Sequence, residues 1–280
     1  MARRLLNCGH RVHVFNRTAA RAATLIAQGA HGFSSPREAC VGADAVVSMV
    51  TDDQASNSIW RGADGALAAN PAPGTLAIEC STLSYDWVME LSGQIRSLGL
   101  RYIDAPVTGL PNMAAAGELT LLVGAAIEDL NAAQPILGCF SQRTLHFGDP
   151  GTGTAYKLLV NMLGAVQIAS VAETIAIAEK MGLDLGTVAD ALATGQAASP
   201  QVIRNARRMV DGQRDQSVVF TPQLRLKDIE YALALARTLE IGSPFGVVAA
   251  RIFSRLCALG YAQANESEVI EVARQQPPNE

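Results

Sequence analysis

The sequence has few charged residues, few aromatic residues and no excess of positive charge. Charged residues make up 17% of the 280 positions, aromatic residues 5%, and the formal net charge is -4. A nucleic-acid-binding protein usually carries a basic excess, so we expect no nucleic-acid partner. The hydrophobic fraction of 49% is that of a chain that folds around a core.

Cysteine is sparse and scattered, as is histidine. The five cysteines form no C-x-x-C pair and no cluster with histidine, so we expect no metal site. Their odd number favours a reducing compartment, and the sequence starts without a secretory signal, so the cytoplasm is the expected location. We also expect no membrane span, because Asn161, Gln167 and Glu173 interrupt the longest apolar stretch.

The first half of the chain alternates between strand and helix patterns. Such alternation predicts βαβ units and a mostly parallel sheet, that is, a doubly wound α/β domain. Strands are predicted at residues 10–15, 45–50, 75–79, 101–103, 119–123 and 144–147, and the opening helices at 1–8 and 19–28.

A dense cluster of helix breakers at residues 148–153 marks a predicted domain boundary. We therefore predict an α/β domain over residues 1–149 and an all-α domain over residues 150–280. The predicted helices of the second domain lie at 154–181, 185–193, 201–211, 224–239, 245–259 and 266–274.

The first helix of the second domain is apolar almost all the way round, which is typical of a buried helix. Lys157 and Asn161 are four residues apart on it and therefore share one face. Periodicity alone leaves two interpretations of Lys157. It is either a solvated lysine at a helix start or a partly desolvated lysine suited to proton transfer near neutral pH.

Two turns follow predicted strands, where ligand sites of α/β sheets gather. The segment 104–110 contains Gly109, whose turn can offer N–H groups to a carboxylate, although Pro and Gly are also common in structural turns. The segment Asn16-Arg17-Thr18 lacks the acidic residue that favours NAD, and Arg17 can instead accommodate the 2′-phosphate of NADP. Taken alone, Arg17 could equally be a surface charge.

Together these segments resemble the β-hydroxyacid dehydrogenase family, which includes 3-hydroxyisobutyrate dehydrogenases and tartronate semialdehyde reductases. The resemblance runs over nearly the whole chain, in the family's order. Its motifs are the helix at 1–6, Asn16-Arg17-Thr18, the signature at 104–109, the strand at 117–124, the G-x-G-x-x-x-K-L-x-x-N segment at 151–161, and Lys227-Asp228.

The resemblance implies a function and a set of site residues. Lys157 would be the catalytic acid or base, Asn161 would orient the substrate, and the substrate carboxylate would be held by Thr108, Gly109 and Leu110. The implied cofactor is NADP(H) rather than NAD(H). The residues implied to bind it are Asn16, Arg17, Thr18, Met49, Val50, Thr82 and Lys227.

The chain departs from the family pattern in two places. Leu110 and Met113 stand where the family signature continues with small residues, which predicts a bulkier and more apolar substrate pocket. In addition, no strand and G-x-G-x-x-G loop precede the first helix, so we expect an N-terminally truncated Rossmann-like domain that lacks its phosphate-binding element.

The resemblance therefore implies an oxidoreductase that transfers a hydride between NADP(H) and a small 3-hydroxy acid or its semialdehyde. We expect a homodimer or homotetramer that packs through the long apolar helix. Two alternatives stay open at this point. One is a catalytically inert binding or interaction module, disabled by the absent glycine loop. The other is a semialdehyde or imine reductase on the same scaffold, although imine reductases of this kind commonly lack the catalytic lysine.

Overall fold

The computed structural model describes residues 1–212 and 218–275. The chain forms two compact units, Met1–Lys157 and Leu158–Glu280. The division falls inside one long helix, α8 (Thr152–Lys180), which begins within the breaker cluster and contributes residues to both units.

The first unit is an α/β domain with eight strands. Three of them, β3, β4 and β5, are parallel neighbours, and their registers align Ser48 with Glu79 and Glu79 with Asp104. The strands are β1 (His13–Val14), β2 (His31–Gly32), β3 (Ala45–Ser48), β4 (Leu76–Glu79), β5 (Arg101–Asp104), β6 (Val107–Thr108), β7 (Leu119–Gly124) and β8 (Ser141–Gly148).

The sheet arrangement differs in part from the prediction. Strand β7 pairs antiparallel with both β5 and β6, so the larger sheet, of order β3-β4-β5-β7-β6 with β8 on β7, is mixed. The connection from β6 to β7 has ten residues, 109–118, which is fewer than the dozen or more that a parallel crossover usually needs. Within the described part of the chain, β1 and β2 pair only with each other, in a separate parallel sheet.

Both faces of the larger sheet are buried, as expected for a doubly wound domain. Leu76 and Ile78 belong to a core cluster with residues of α7, whereas Ala77 and Tyr102 belong to a second cluster with residues of α5. Successive residues of β4 therefore face opposite layers.

The helices of this unit are α1 (Ala2–Asn7), α2 (Ala23–Ala27), α3 (Pro36–Cys40), α4 (Asp53–Trp60), α5 (Tyr85–Ser97), α6 (Pro111–Ala116) and α7 (Ile127–Leu137), with 3₁₀ turns at Ala19–Ala22 and Ala66–Ala69.

The second unit is all-helical over its described residues. After α8 come α9 (Leu185–Thr194), α10 (Pro200–Asp211), α11 (Pro222–Thr238), α12 (Pro244–Leu256) and α13 (Ile270–Gln275), with a π-helical turn at Cys257–Tyr261 and a 3₁₀ turn at Glu266–Val269.

Helices α10, α11 and α12 start one or two residues earlier than predicted. Each has proline at its first position, where the missing N–H costs nothing because that group has no partner in the helix. The side chains of Ser199 and Thr221 accept hydrogen bonds from the backbone N–H groups of Val202 and Leu224 and so cap α10 and α11.

Helix α8 is long and apolar enough to cross a membrane by length and composition, a property that core helices of soluble proteins share. In the second unit, Ile168, Val171 and Ile175 lie in its core. Leu163 and Ile177 are instead more than half exposed, at 56% and 63%. Helix α8 thus has exposed apolar side chains as well as a buried face.

Candidate functional site

Most of the predicted site residues of the first unit lie at or just after the ends of its strands. The loop after β3 contains Met49 and Val50, and the loop after β4 contains Ser81 and Thr82. Strand β5 ends at Asp104. Because these strands are parallel and in aligned register, the three ends lie at one edge of the sheet, where α/β domains bind ligands.

The predicted cofactor residues of the first unit fall into two groups. Asn16 follows β1, and its side-chain oxygen accepts a hydrogen bond from the backbone N–H of Thr18 at 2.9 Å, which forms a tight turn with Arg17 exposed at its tip. Asn16 and Met49 line one cavity of about 650 Å³ between β1 and β3. Val50 and Thr82 lie at the neighbouring strand ends.

The strand predicted at 45–50 ends earlier, at Ser48. The reason is that the backbone N–H of Val50 donates to the hydroxyl of Ser81, at 2.7 Å, instead of pairing with another strand. Ser81 is itself bonded to the carboxylate of Glu79, which is 1% exposed. Sequence reasoning missed both residues, although an acidic residue inside an otherwise apolar strand was a usable signal.

Asp104 has a structural role that the sequence did not reveal. Its carboxylate accepts hydrogen bonds from the backbone N–H groups of Gly151 and Thr154, at 2.6 and 2.7 Å, and so holds the first turn of α8 on the end of β5. Burial raises the pKa of Asp104 to about 6, against the lowering effect of these hydrogen bonds. Lys157 lies one turn further along this helix.

The two glycines before Lys157 allow the start of α8 to adopt its backbone conformation and to pack on β7. Gly151 has a φ of +97°, which few other residues adopt without strain. A Cβ at Gly153 would overlap the carbonyl oxygen of Leu122 on β7, so only glycine lets α8 approach the strand this closely. The G-x-G motif therefore sets the position of Lys157, which is half-buried in the second turn of α8.

The predicted carboxylate-binding turn follows β6. Thr108 and Gly109 are exposed, and Gly109 has a φ of +137° with Leu119 too close for a Cβ. Leu110 is the N-cap residue of α6 and is half-buried. Met113, which we expected to enlarge the apolar surface of the pocket, packs against the core cluster of the sheet.

Two predicted site residues belong to the second unit and lie in one polar network there. The side-chain amide of Asn161 donates to Asp228 at 2.6 Å, and the ammonium of Lys227 lies 2.9 Å from the other oxygen of the same carboxylate. Asp228 is 1% exposed. Arg225, in a buried ion pair with Glu266 at 2.6 Å, donates to the backbone oxygen of Asn161. This network fixes the orientation of the Asn161 side chain.

Comparisons with known proteins agree with this geometry. The family profile described as the NAD binding domain of 6-phosphogluconate dehydrogenase matches residues 1–148. The profile described as the NAD-binding domain of NADP-dependent 3-hydroxyisobutyrate dehydrogenase matches residues 151–273.

Individual relatives cover nearly the same span. An NAD-dependent L-serine dehydrogenase of Pseudomonas aeruginosa is 33% identical over 96% of this chain and 92% of its own length. A 3-hydroxyisobutyrate dehydrogenase of the same organism is 33% identical over 91% and 87%. The structure of the Mycobacterium tuberculosis 3-hydroxyisobutyrate dehydrogenase with L-serine superposes with a TM-score of 0.88, at 29% identity over 98% of this chain and 94% of that one.

These matches confirm the predicted family and its Rossmann-like, then all-α, organisation. They give no support to the predicted N-terminal truncation or to a missing first strand, because the first profile matches from residue 1.

Proposed function

Because the chain belongs to the 3-hydroxyisobutyrate dehydrogenase family of NAD(P)-dependent β-hydroxyacid oxidoreductases, we propose that it interconverts a small 3-hydroxy acid and its semialdehyde, with Lys157 as the general acid or base. One observation supports the proposed role of Lys157 in proton transfer. Asp104, at the end of β5, binds the first turn of the helix that carries the lysine. The helix turn that carries the lysine is thereby held near a strand end, where substrates of α/β domains bind.

The residues present fit a nicotinamide dinucleotide along part of its length. Asn16 and Met49 line the cavity between β1 and β3, which runs along the length of both strands, and Val50 and Thr82 lie at the neighbouring strand ends. A G-x-G-x-x-G loop is not in the sequence. When bound, the dinucleotide supplies or accepts the hydride. We propose NADP(H) rather than NAD(H), because Arg17 is exposed at the turn after β1 and no acidic residue lies beside it.

In this proposal the substrate carboxylate is held at the turn after β6. Thr108 offers a hydroxyl, and the backbone at Gly109 and Leu110 offers N–H groups. Two relatives are named for L-serine and 3-hydroxyisobutyrate, both of which carry a carboxylate and a hydroxyl on the third carbon. A small 3-hydroxy acid is the substrate class that these names share.

The proton is handled by the lysine in both directions. During reduction of the semialdehyde, the ammonium of Lys157 donates a proton to the carbonyl oxygen, and during oxidation the neutral amine takes it from the hydroxyl. Asn161, one helical turn further along α8, orients the substrate, and Asp228 holds its amide. Lys227 lies 2.9 Å from the other oxygen of the same carboxylate and is proposed to bind the cofactor or the substrate.

The exposed apolar side chains of α8 support the proposal of a homodimer or homotetramer. Leu159, Leu163 and Ile177 are 49%, 56% and 63% exposed, an arrangement that a second copy of the chain would cover. The scattered free cysteines favour a reducing compartment such as the cytoplasm.

Fluorescence titration with NADPH and NADH, followed by assays with L-serine and 3-hydroxyisobutyrate, tests the proposed function. We expect saturable NADPH binding at micromolar concentration and turnover of at least one 3-hydroxy acid. Absence of cofactor binding would instead favour an inert interaction module. Binding with turnover confined to imines would favour the imine reductase alternative.

A further inference from the structure

Glu79 ends β4 as an acidic residue in a fully buried strand. Its carboxylate accepts four hydrogen bonds. One oxygen accepts from the N–H and the hydroxyl of Ser81, at 3.1 and 2.6 Å, and the other from the hydroxyl of Ser56 and the indole N–H of Trp60, both at 2.8 Å. Because both oxygens face donors, an ionised carboxylate satisfies this site and an amide does not.

The Ser81 side of Glu79 reaches the neighbouring loop. A serine hydroxyl has one hydrogen, and that of Ser81 is directed to Glu79, so an oxygen lone pair is available to the backbone N–H of Val50 at 2.7 Å. Glu79, Ser81 and Val50 thus form a relay that joins the loop after β3 to the loop after β4. Hydrogen bonds to charged groups are the stronger ones, and chains of them reinforce one another.

The Ser56 side of Glu79 serves packing instead. The hydroxyl of Ser56 also accepts from the indole N–H of Trp87, at 3.0 Å, and Trp60 and Trp87 belong to the core cluster on that face of the sheet. One carboxylate therefore has a loop side and a packing side, which can be altered separately.

We infer that Glu79 is a positioning residue for the dinucleotide, acting through Ser81 on the loop that contains Met49 and Val50. The inference rests on the proposed function, which assigns Met49, Val50 and Thr82 to the nicotinamide. By fixing both loops before the cofactor arrives, the relay removes an ordering cost from binding. It therefore sets cofactor affinity and not the rate of the chemical step.

Three variants separate the two sides: Ser81→Ala on the loop side, Glu79→Gln, which alters the carboxylate common to both sides, and Ser56→Ala as the matched control on the packing side. We expect the first two to raise the NADPH dissociation constant about tenfold, with kcat at saturating cofactor changed less than about twofold. Ser56→Ala is expected to lower the melting temperature and leave the NADPH dissociation constant unchanged. The double variant Glu79→Gln/Ser81→Ala is expected to bind no more weakly than the weaker single variant, since both changes break one relay.

Hydrogen exchange of the cofactor-free protein provides a readout that needs no bound dinucleotide. We expect faster exchange in a peptide that covers residues 46–52 for Ser81→Ala and Glu79→Gln, and wild-type exchange there for Ser56→Ala. If the wild-type protein binds NADPH and all the variants bind it with the same dissociation constant, this inference alone is overturned. A wild-type protein that does not bind NADPH would overturn the proposed function and the inference with it.

Discussion

Glu79 and Asp104 are register partners at the ends of two neighbouring strands, and both are almost fully buried. They hold different parts of the molecule. Glu79 accepts hydrogen bonds from side chains and from the loop that contains Ser81, whereas Asp104 accepts them from the backbone at the start of α8. The loops proposed to bind the cofactor and the helix that carries Lys157 are therefore supported by different carboxylates. The two kinds of function should be separable by mutation.

The largest effect is expected on the helix that Asp104 holds, at Lys157. Lys157→Ala removes the group proposed to move the proton, so kcat should fall about 100- to 10,000-fold while the NADPH dissociation constant stays within about twofold. Lys180→Ala, at the exposed end of the same helix, is the control and should retain full activity. The measurement is steady-state kinetics with the 3-hydroxy acid that the wild-type protein oxidises fastest. Full activity of Lys157→Ala would refute the proposed mechanism.

The next effect is steric and concerns the helix start. Gly153→Ala places a methyl group against the carbonyl oxygen of Leu122, so we expect a loss of about 3 kcal/mol in the free energy of unfolding. Gly164→Ala is the control on the same helix, since its Cβ would come no closer than 3.3 Å to the flexible side chain of Gln201 and 3.7 Å to that of Arg225. Chemical denaturation should show a small change for Gly164→Ala. An equal loss in both variants would contradict the close packing of α8 on β7.

The third effect is a pH dependence that arises from Asp104. The pKa of Asp104 is about 6 in the folded protein, above its ordinary value of 3.8, so the folded state binds more protons between pH 4 and 6. This group therefore makes the free energy of unfolding decrease as the pH rises through that window, by at most about 3 kcal/mol. The difference in the free energy of unfolding between the wild-type protein and Asp104→Asn, measured by chemical denaturation across this window, should therefore change with pH. A difference that does not change with pH would contradict the raised pKa of Asp104.

The smallest effect is expected on the cofactor side, at the exposed turn after β1. Arg17→Ala should weaken NADPH binding about tenfold and leave NADH binding unchanged, because only the 2′-phosphate loses a charged partner. Arg37→Ala, another exposed arginine of the same unit, is the control. Parallel weakening of NADPH and NADH would show that Arg17 does not select between the two cofactors.

Much of the fold was predictable because the patterns are local. Helices α8 to α11 were located within two residues at each end, since their apolar periodicity is long and glycine or proline marks many of their ends. The antiparallel pairing of β7 and the separate β1–β2 sheet were not predictable. Pairing depends on residues far apart in the chain, and the two-residue strands β2 and β6 have no periodicity to read.

The site residues divide in the same way. Lys157, Asn161 and the turn at Thr108 could be proposed from motifs, because they are the groups that would touch ligands. Glu79, Ser81 and Asp228 could not be given their present roles from sequence, because their partners are remote residues. The interval between Asn161 and Asp228 is 67 residues, and that between Glu79 and Ser56 is 23.

The sequence alone indicated the order of the two units, which follows from periodicity and from the breaker cluster. It also indicated the family and the candidate proton-transfer lysine, through the resemblance of its closely spaced motifs. The tertiary structure decided what holds that chemistry in place. It assigned Asp104 to the start of α8, Glu79 to the loop after β3, and Asp228 to the amide of Asn161. The physical reason is that a buried carboxylate must be satisfied by donors that only folding brings within hydrogen-bond distance.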